Sequence, residues 1–129
     1  MFANCQMMGV DTGFPDVCKT PPVAAPIPYP NIGMGPTGVP AAYNVLVSVG
    51  PGHNLATTVP FTLGDTLGIM LGLVSQTVDA PARHVTAMFT CLMGGLPATR
   101  MTSMGPGNLI NSPNVRLVPS QLKVLLLGP

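Results

Sequence analysis

Between Lys19 and Asp65 the chain has no charged residue and carries prolines at positions 21, 22, 26, 28, 30, 36, 40, 51 and 60. Each proline lacks an N–H and fixes φ near −65°, and inside a helix each costs about 3 kcal/mol. No long helix survives that density. The best helical candidate elsewhere, Thr66 to Val78, falls short of the roughly 20 residues that cross a bilayer. Its Gly68 and Gly72 spacing is therefore not read as a membrane-dimer motif. Within Pro21 to Pro40, proline alternates with small or apolar residues, which predicts polyproline II or extended loop, with Ile27, Tyr29 and Ile32 available for packing.

The rest reads as short strands and turns. Val45, Val47 and Val49 alternate within Asn44 to Val49, which runs into Gly50-Pro51. Met88 to Met93 runs into Gly94-Gly95-Leu96-Pro97, and Gln121 to Leu127 into Gly128-Pro129. Three apolar runs that each end in glycine and then proline suggest a degenerate threefold repeat. Single hairpins of this size are marginal in water, so the three are expected to lean together. Residues 1 to 20 read as loop, broken by Gly9, Gly13 and Pro15. Turn signals stand at Gly64-Asp65, Asp79-Ala80-Pro81, Gly105 to Asn108 and Asn111 to Asn114. Only Thr66 to Val78 and Ser120 to Lys123 could hold a helical turn. The fold class is mainly β, in one domain of 129 residues.

Charged residues make up 7% of the chain, against about 25% in an ordinary soluble domain. The acids are Asp11, Asp16, Asp65 and Asp79; the bases are Lys19, Arg83, Arg100, Arg116 and Lys123. A net charge of +1 without a basic cluster argues against nucleic-acid binding. So little charge on a chain that is 47% hydrophobic predicts a surface that works docked on a partner. The first residues lack the basic and apolar regions of a secretory signal peptide. The odd number of cysteines, Cys5, Cys18 and Cys91, favours reduced thiols or metal ligands over disulfides.

Two segments carry a resemblance: Pro26-Ile27-Pro28-Tyr29, and Gly95-Leu96-Pro97-Ala98-Thr99-Arg100. With Phe14 to Cys18, Gly52-His53-Asn54, Gly64-Asp65, Pro81 to His84, Asn111 to Asn114 and Pro119 to Val124 in order, the chain resembles the PAAR-like family, in its Pro-Ile-Pro-Tyr branch. Threonine stands at 99 where the motif's second alanine is expected, a change a strand tolerates. The resemblance implies a small β cone with pseudo-threefold hairpins and long proline-rich loops. It would cap the trimeric β-helical spike of a type VI secretion, or contractile injection, apparatus, one tip per trimer. It would sharpen the spike for piercing membranes, with transient membrane contact, and help deliver effectors. It also implies synthesis in the bacterial cytoplasm, assembly on the apparatus and ejection without a signal peptide. The chain stops at Pro129 after the last apolar run, so no C-terminal effector domain and no toxic activity of its own are expected. A cargo adaptor that binds one effector non-covalently is the alternative.

The resemblance further implies Zn²⁺ held by histidine and cysteine. Five residues could ligate it, Cys5, Cys18, Cys91, His53 and His84, but no paired C-x-x-C or H-x-x-x-H spacing exists. The preferred set is Cys5, Cys18, His53 and His84, all in turn-rich segments, with Cys91 read as a buried inert thiol. Otherwise both histidines are hydrogen-bonded turn residues. A small zinc-dependent Cys/His enzyme is a further alternative, but no nucleophile loop or paired carboxylate supports catalysis, and no enzymatic activity is expected. The nine methionines are scattered and read as core filling, not copper ligands. Arg100 is expected to brace its hairpin through backbone carbonyls or to face the partner, and Asp65 to close its own turn.

Overall fold

The computed structural model describes residues 1–128. It is mainly β, with one 3₁₀ turn at Gly35–Thr37 as its only helical element among those residues. Two long strands, β1 (Val10–Thr20) and β2 (Ala25–Met34), pair antiparallel at the centre. Seven shorter strands follow: β3 (Ala42–Val47), β4 (Gly50–Gly52), β5 (Thr58–Val59), β6 (Thr62–Leu63), β7 (Ala82–Arg83), β8 (Met88–Met93) and β9 (Leu96–Ala98). The last two are β10 (Met104–Gly107) and β11 (Ser112–Val118). A five-stranded sheet has the order β10-β11-β1-β2-β6, and β3-β4, β5-β7 and β8-β9 form separate pairs.

Residues 10–20, expected to be loop, are the longest strand. The reason lies in which side chains point inward. Along β1 the buried positions include Asp11, Gly13, Asp16 and Cys18, with Phe14-Pro15 forming an exposed register break between them. The alternation is present, but its inward face is polar and small. The proline-rich segment likewise becomes β2 instead of free extended loop. Pro26, Pro28 and Pro30 share one phase of a strand, so their missing donors fall together on the side away from β1. β6 pairs only with Ile32 and Gly33, leaving that side of the prolines an open edge. Ile27 and Tyr29 lie opposite Cys18 and Asp16, and the Tyr29 hydroxyl hydrogen-bonds Thr20 Oγ1 at 2.7 Å.

Thr66 to Val78 forms turns, not a helix, with φ positive at Leu71 and Gln76. Its backbone is taken by β1: Lys19 N–H donates to Leu71 O, Met70 N–H to Lys19 O, and Leu73 N–H to Val17 O. Gly68 and Gly72 are the points of closest approach, where a Cβ would overlap Cys18 and press on the Asn111 amide. Ser120 to Lys123 is likewise non-helical.

The threefold repeat is present. In the first unit Leu46 pairs with Pro51 and Val47 with Gly50; in the second Leu92 pairs with Pro97 and Met93 with Leu96. Both hairpins break register at the same place, between Ala42/Leu46 and between Met88/Leu92. The run Gln121 to Leu127, expected as a strand, makes a single bridge, Leu125 with Phe2. Its partner is the other end of the chain. Leu126 N–H donates to Met1 O at 2.7 Å, the Met1 amino group to Leu126 O at 3.1 Å, and Ala3 N–H to Val124 O at 3.0 Å. Met1, Phe2 and Ala3 thus repeat the roles of Gly50, Pro51 and Gly52, and of Leu96, Pro97 and Ala98.

The three units meet in a closed ring. Asn4 N–H donates to Thr99 O (3.1 Å), Thr99 N–H to His53 O (3.3 Å), and His53 N–H to Asn4 O (3.0 Å). Flanking bridges follow the same cycle: Ala3 with Arg100, Cys5 with Gly52, Asn54 with Ala98. A small apolar cluster packs here, and it includes the equivalent residues Val47, Met93 and Leu126. Cys91 is half-buried against it.

Candidate functional site

The distribution of polarity is inverted relative to an ordinary domain. Apart from Cys5 and Cys18, the largest fully buried side chains are polar: Arg116, His53, Asn4, Asn108, Thr62, Thr99, Asp11, Asp16, Asp65 and Ser120. Most large apolar side chains lie outside, with Val47, Val59, Met93 and Leu126 among the exceptions. The three units repeat this pattern position by position. Leu46, Leu92 and Leu125 are 67%, 63% and 51% exposed, and at the same offset Tyr43, Phe89 and Leu122 are 62%, 63% and 70% exposed. Six large side chains in threefold-equivalent places make an apolar surface that water covers poorly. Fully burying each would contribute about 1.5–3 kcal/mol before association costs.

Behind the ring lies a charged nest. Asp11 on β1 stands directly opposite Arg116 on β11. Arg116 Nε donates to Asp11 Oδ1, its Nη2 to Asp11 Oδ2 at 3.2 Å, and its Nη1 to Ser120 Oγ at 2.8 Å. Both residues are fully buried, so the two-pronged pairing offsets the desolvation of each. His84 Nε2 lies 3.3 Å from Asp11 Oδ1, at ion-pair distance but without hydrogen-bond geometry. Burial alone would raise the Asp11 pKa, but His84 and Arg116 outweigh it and hold it at about 2. His53 faces the same nest. Burial, then the Arg116 charge, pushes it down to about 3, with Asp11 opposing in part.

A second polar cluster joins β1 to the 64–79 loop. The ligand-type atoms of Asp16, Cys18 and Asp65 all lie within 4.8 Å of one another, and all three residues are fully buried. Cys18 Sγ–H donates to Asp65 Oδ2 (3.0 Å) and lies 3.6 Å from Asp16 Oδ1. Amides hold the carboxylates: Asn31 Nδ2 on Asp16 Oδ2 (2.6 Å), Asn108 Nδ2 on Asp65 Oδ2 (2.7 Å), and Asn111 Nδ2 on Asp16 Oδ1. Asp65 does not close its own turn with its carboxylate; Oδ1 accepts from the Asp79 N–H across the loop (3.2 Å). Burial, and then the adjacent Asp79 carboxyl, raises Asp65 to about 6. Burial and the two aspartates push the Cys18 thiol well above the ordinary thiol range, the opposite of an activated nucleophile.

The four residues expected to hold zinc are distributed over three places. Cys5 sits in the apolar cluster, Cys18 among the carboxylates, and His53 and His84 around Asp11 and Arg116. Among the described residues they do not form one ligand group, whereas Asp16, Cys18 and Asp65 could hold a metal ion. Asp16 was not anticipated. Had β1 been read as a strand, Asp16 and Cys18, two apart, would have fallen on one face.

The remaining motif residues are structural neighbours of these features. Gly64, at φ +133°, passes so close to the Pro30 carbonyl that a Cβ would overlap it. Gly95, at φ +86°, forms the open turn between β8 and β9. Pro97 and Ala98 lie in β9, Thr99 in the ring. Arg100 Nη1 donates to the carbonyls of Leu126 (3.2 Å) and Gly128 (2.6 Å), tying the second unit to the third.

The family model described as the toxin PAAR-like domain matches residues 9–114. The chain belongs to the toxin PAAR-like family. The PAAR-like match spans the Pro-Ile-Pro-Tyr strand, the first two hairpins and the Asp16, Cys18 and Asp65 cluster, whereas Arg116 and Ser120 of the Asp11 nest lie beyond it. Comparison with curated proteins gives no significant match, and neither does comparison with solved structures.

Proposed function

We propose that this PAAR-like chain is the tip piece of a type VI secretion or related contractile injection spike, one copy closing the end of a trimeric partner. The observation that carries the reading is the cyclic ring of Asn4, His53 and Thr99, surrounded by three equivalent units, two hairpins and the paired chain ends, in one polypeptide. A single chain with three like edges matches a partner with true threefold symmetry, which a chain with one unique face does not. The exposed Tyr43, Phe89, Leu122, Leu46, Leu92 and Leu125 supply the apolar contact, and open strand edges permit pairing by strand addition. Scarce surface charge suits a piece that is buried at its base while in use. Sharpening the spike, membrane piercing and effector delivery follow from that position.

The test is co-expression with a trimeric spike protein from the same genome, followed by light scattering of the purified complex. One chain per trimer is expected, and the triple variant Leu46→Asp, Leu92→Asp, Leu125→Asp should abolish the complex. An equimolar complex, or one that survives the triple variant, refutes the reading. A cargo-adaptor role has its own observation: Leu67, Ile69, Leu73 and Val74 on the 66–78 loop, which is bonded to the Val17 to Lys19 end of β1, are 73%, 66%, 51% and 60% exposed. Substituting that loop should then stop delivery of one effector while secretion of the spike continues.

A further inference from the structure

The three units repeat in the spaces between them as well as in their strands. Residues 40–44 lead into the first unit and 119–123 into the third, at the offset that carries Leu46 to Leu125. Each stretch is one wall of a cleft. The first cleft, about 560 Å³, sets 40–44 against Ala56 and the Gly94 turn of the second unit. The second, about 390 Å³, sets 119–123 against Met7 and the Ser48 turn of the first unit. Ala56 and Met7 each stand three residues after a ring residue, His53 and Asn4. Gly94 and Ser48 each follow the core residue of their hairpin, Met93 and Val47. These are two copies of one cleft, a third of a turn apart.

At the third position, between residues 86–90 and the turn at 127–128, the chain closes on itself. Where the first cleft has Ala42 and Asn44, this one has Met88 and Thr90. A Cβ on Gly128 would lie 2.9 Å from Met88 Cε and 2.7 Å from Thr90 Oγ1. Arg100 Nη1 holds the same turn through the Leu126 and Gly128 carbonyls.

We propose that the two open clefts each receive the same short apolar segment, one from each of two chains of the spike trimer, and that the third chain's copy is left unseated at the closed position. The clefts continue the docking surface, since Tyr43 lies in the wall of the first and Leu122 in that of the second. Like clefts a third of a turn apart match a partner that presents like segments at that spacing, as a threefold assembly does. An uncharged aliphatic side chain such as leucine suits both. Lys123 is the one charged residue lining either cleft, and an acid or base buried beside alanine and methionine would lose its water without full compensation. Met7 and Met8 are flexible enough to admit in the second cleft what Ala56 and Leu96 admit in the first. Seating of this kind, which rests on the tip reading, makes three identical chains inequivalent and leaves one free segment per spike beside Arg100.

The test measures the affinity of the full chain for the purified trimeric spike protein from the same genome. Ala56→Trp fills the first cleft and Met7→Trp the second, and each should weaken binding about 10–100-fold, the loss of one buried aliphatic side chain. Thr102→Trp, the equivalent change at the closed position, should bind within about twofold of wild type. Ala56→Cys, Met7→Cys and Thr102→Cys read the same contacts without added bulk: maleimide labelling in the complex should be suppressed at 56 and 7 and persist at 102. Wild-type affinity in Ala56→Trp or Met7→Trp, equal weakening by all three tryptophans, or labelling blocked at 102 as fully as at 56 would each overturn the seating while leaving a complex of one chain per trimer intact. Absence of any complex with the wild-type chain would overturn the seating and the tip reading together.

Discussion

His53 is 1% exposed and stays neutral because burial and the Arg116 charge push its pKa from 6.5 to about 3. In the unfolded chain the same imidazole takes up a proton as the pH falls through 6.5. Between 6.5 and 3 the unfolded state therefore binds the proton and the folded state does not, so acid favours unfolding across that window. At about 1.4 kcal/mol per pH unit, moving from pH 8 to pH 5 removes about 2 kcal/mol of stability through this one residue. Two other groups shape the raw curve. Asp65, raised from 3.8 to about 6, gains a proton in the folded state first and opposes the loss between those values. Asp11, held at about 2 against 3.8 unfolded, loses its contribution only below pH 3.8. The difference between wild type and His53→Asn isolates the histidine. Urea unfolding followed by circular dichroism at pH 8, 7, 6 and 5 should show the wild type losing about 2 kcal/mol more than the variant. Parallel curves for the two proteins would refute the neutral, buried histidine.

Arg116→Met leaves Asp11 buried without its cation and should cost about 3–5 kcal/mol in urea unfolding. Adding Asp11→Asn to it should restore part of that loss, and a single-variant cost under about 1 kcal/mol would contradict the nest as described. Gly64→Ala combines a left-sided φ with overlap on Pro30 and should cost more than the about 1–3 kcal/mol of backbone strain alone. Gly95→Ala, with open space around it, should cost only about 1–2 kcal/mol. Equal Tm losses for the two glycines would remove the close-approach explanation.

What the sequence made legible follows apolar patterning closely. Met88–Met93 is a strand as expected, and Asn44 to Val49 overlaps β3, because both present apolar side chains at strand spacing. β1 escaped because hydrophobicity marks its outward positions and carboxylates its inward ones. The proline segment escaped for a related reason: three prolines in one phase forbid a central strand but fit an edge. The third unit was anticipated as a repeat but misjudged as a self-contained strand, since nothing local to Gln121 to Leu127 says that its partner is Met1 to Ala3. Cys18 was singled out for ligand chemistry. Its neighbours Asp16 and Asp65 were not, because Asp16 lay in a stretch read as loop and Asp65 comes from a loop far along the chain whose path no local pattern specifies.

The polar interior has a thermal corollary. Heat-capacity change on unfolding grows with the apolar surface newly wetted and shrinks with the polar surface newly wetted. A chain whose largest concealed side chains are mostly amide, carboxylate, imidazole and guanidinium, and most of whose leucines are already wet, should unfold with an unusually small change for its size. Its free-energy dome is then shallow and broad, so the fold holds nearly the same margin in a cold environment as in a warm one.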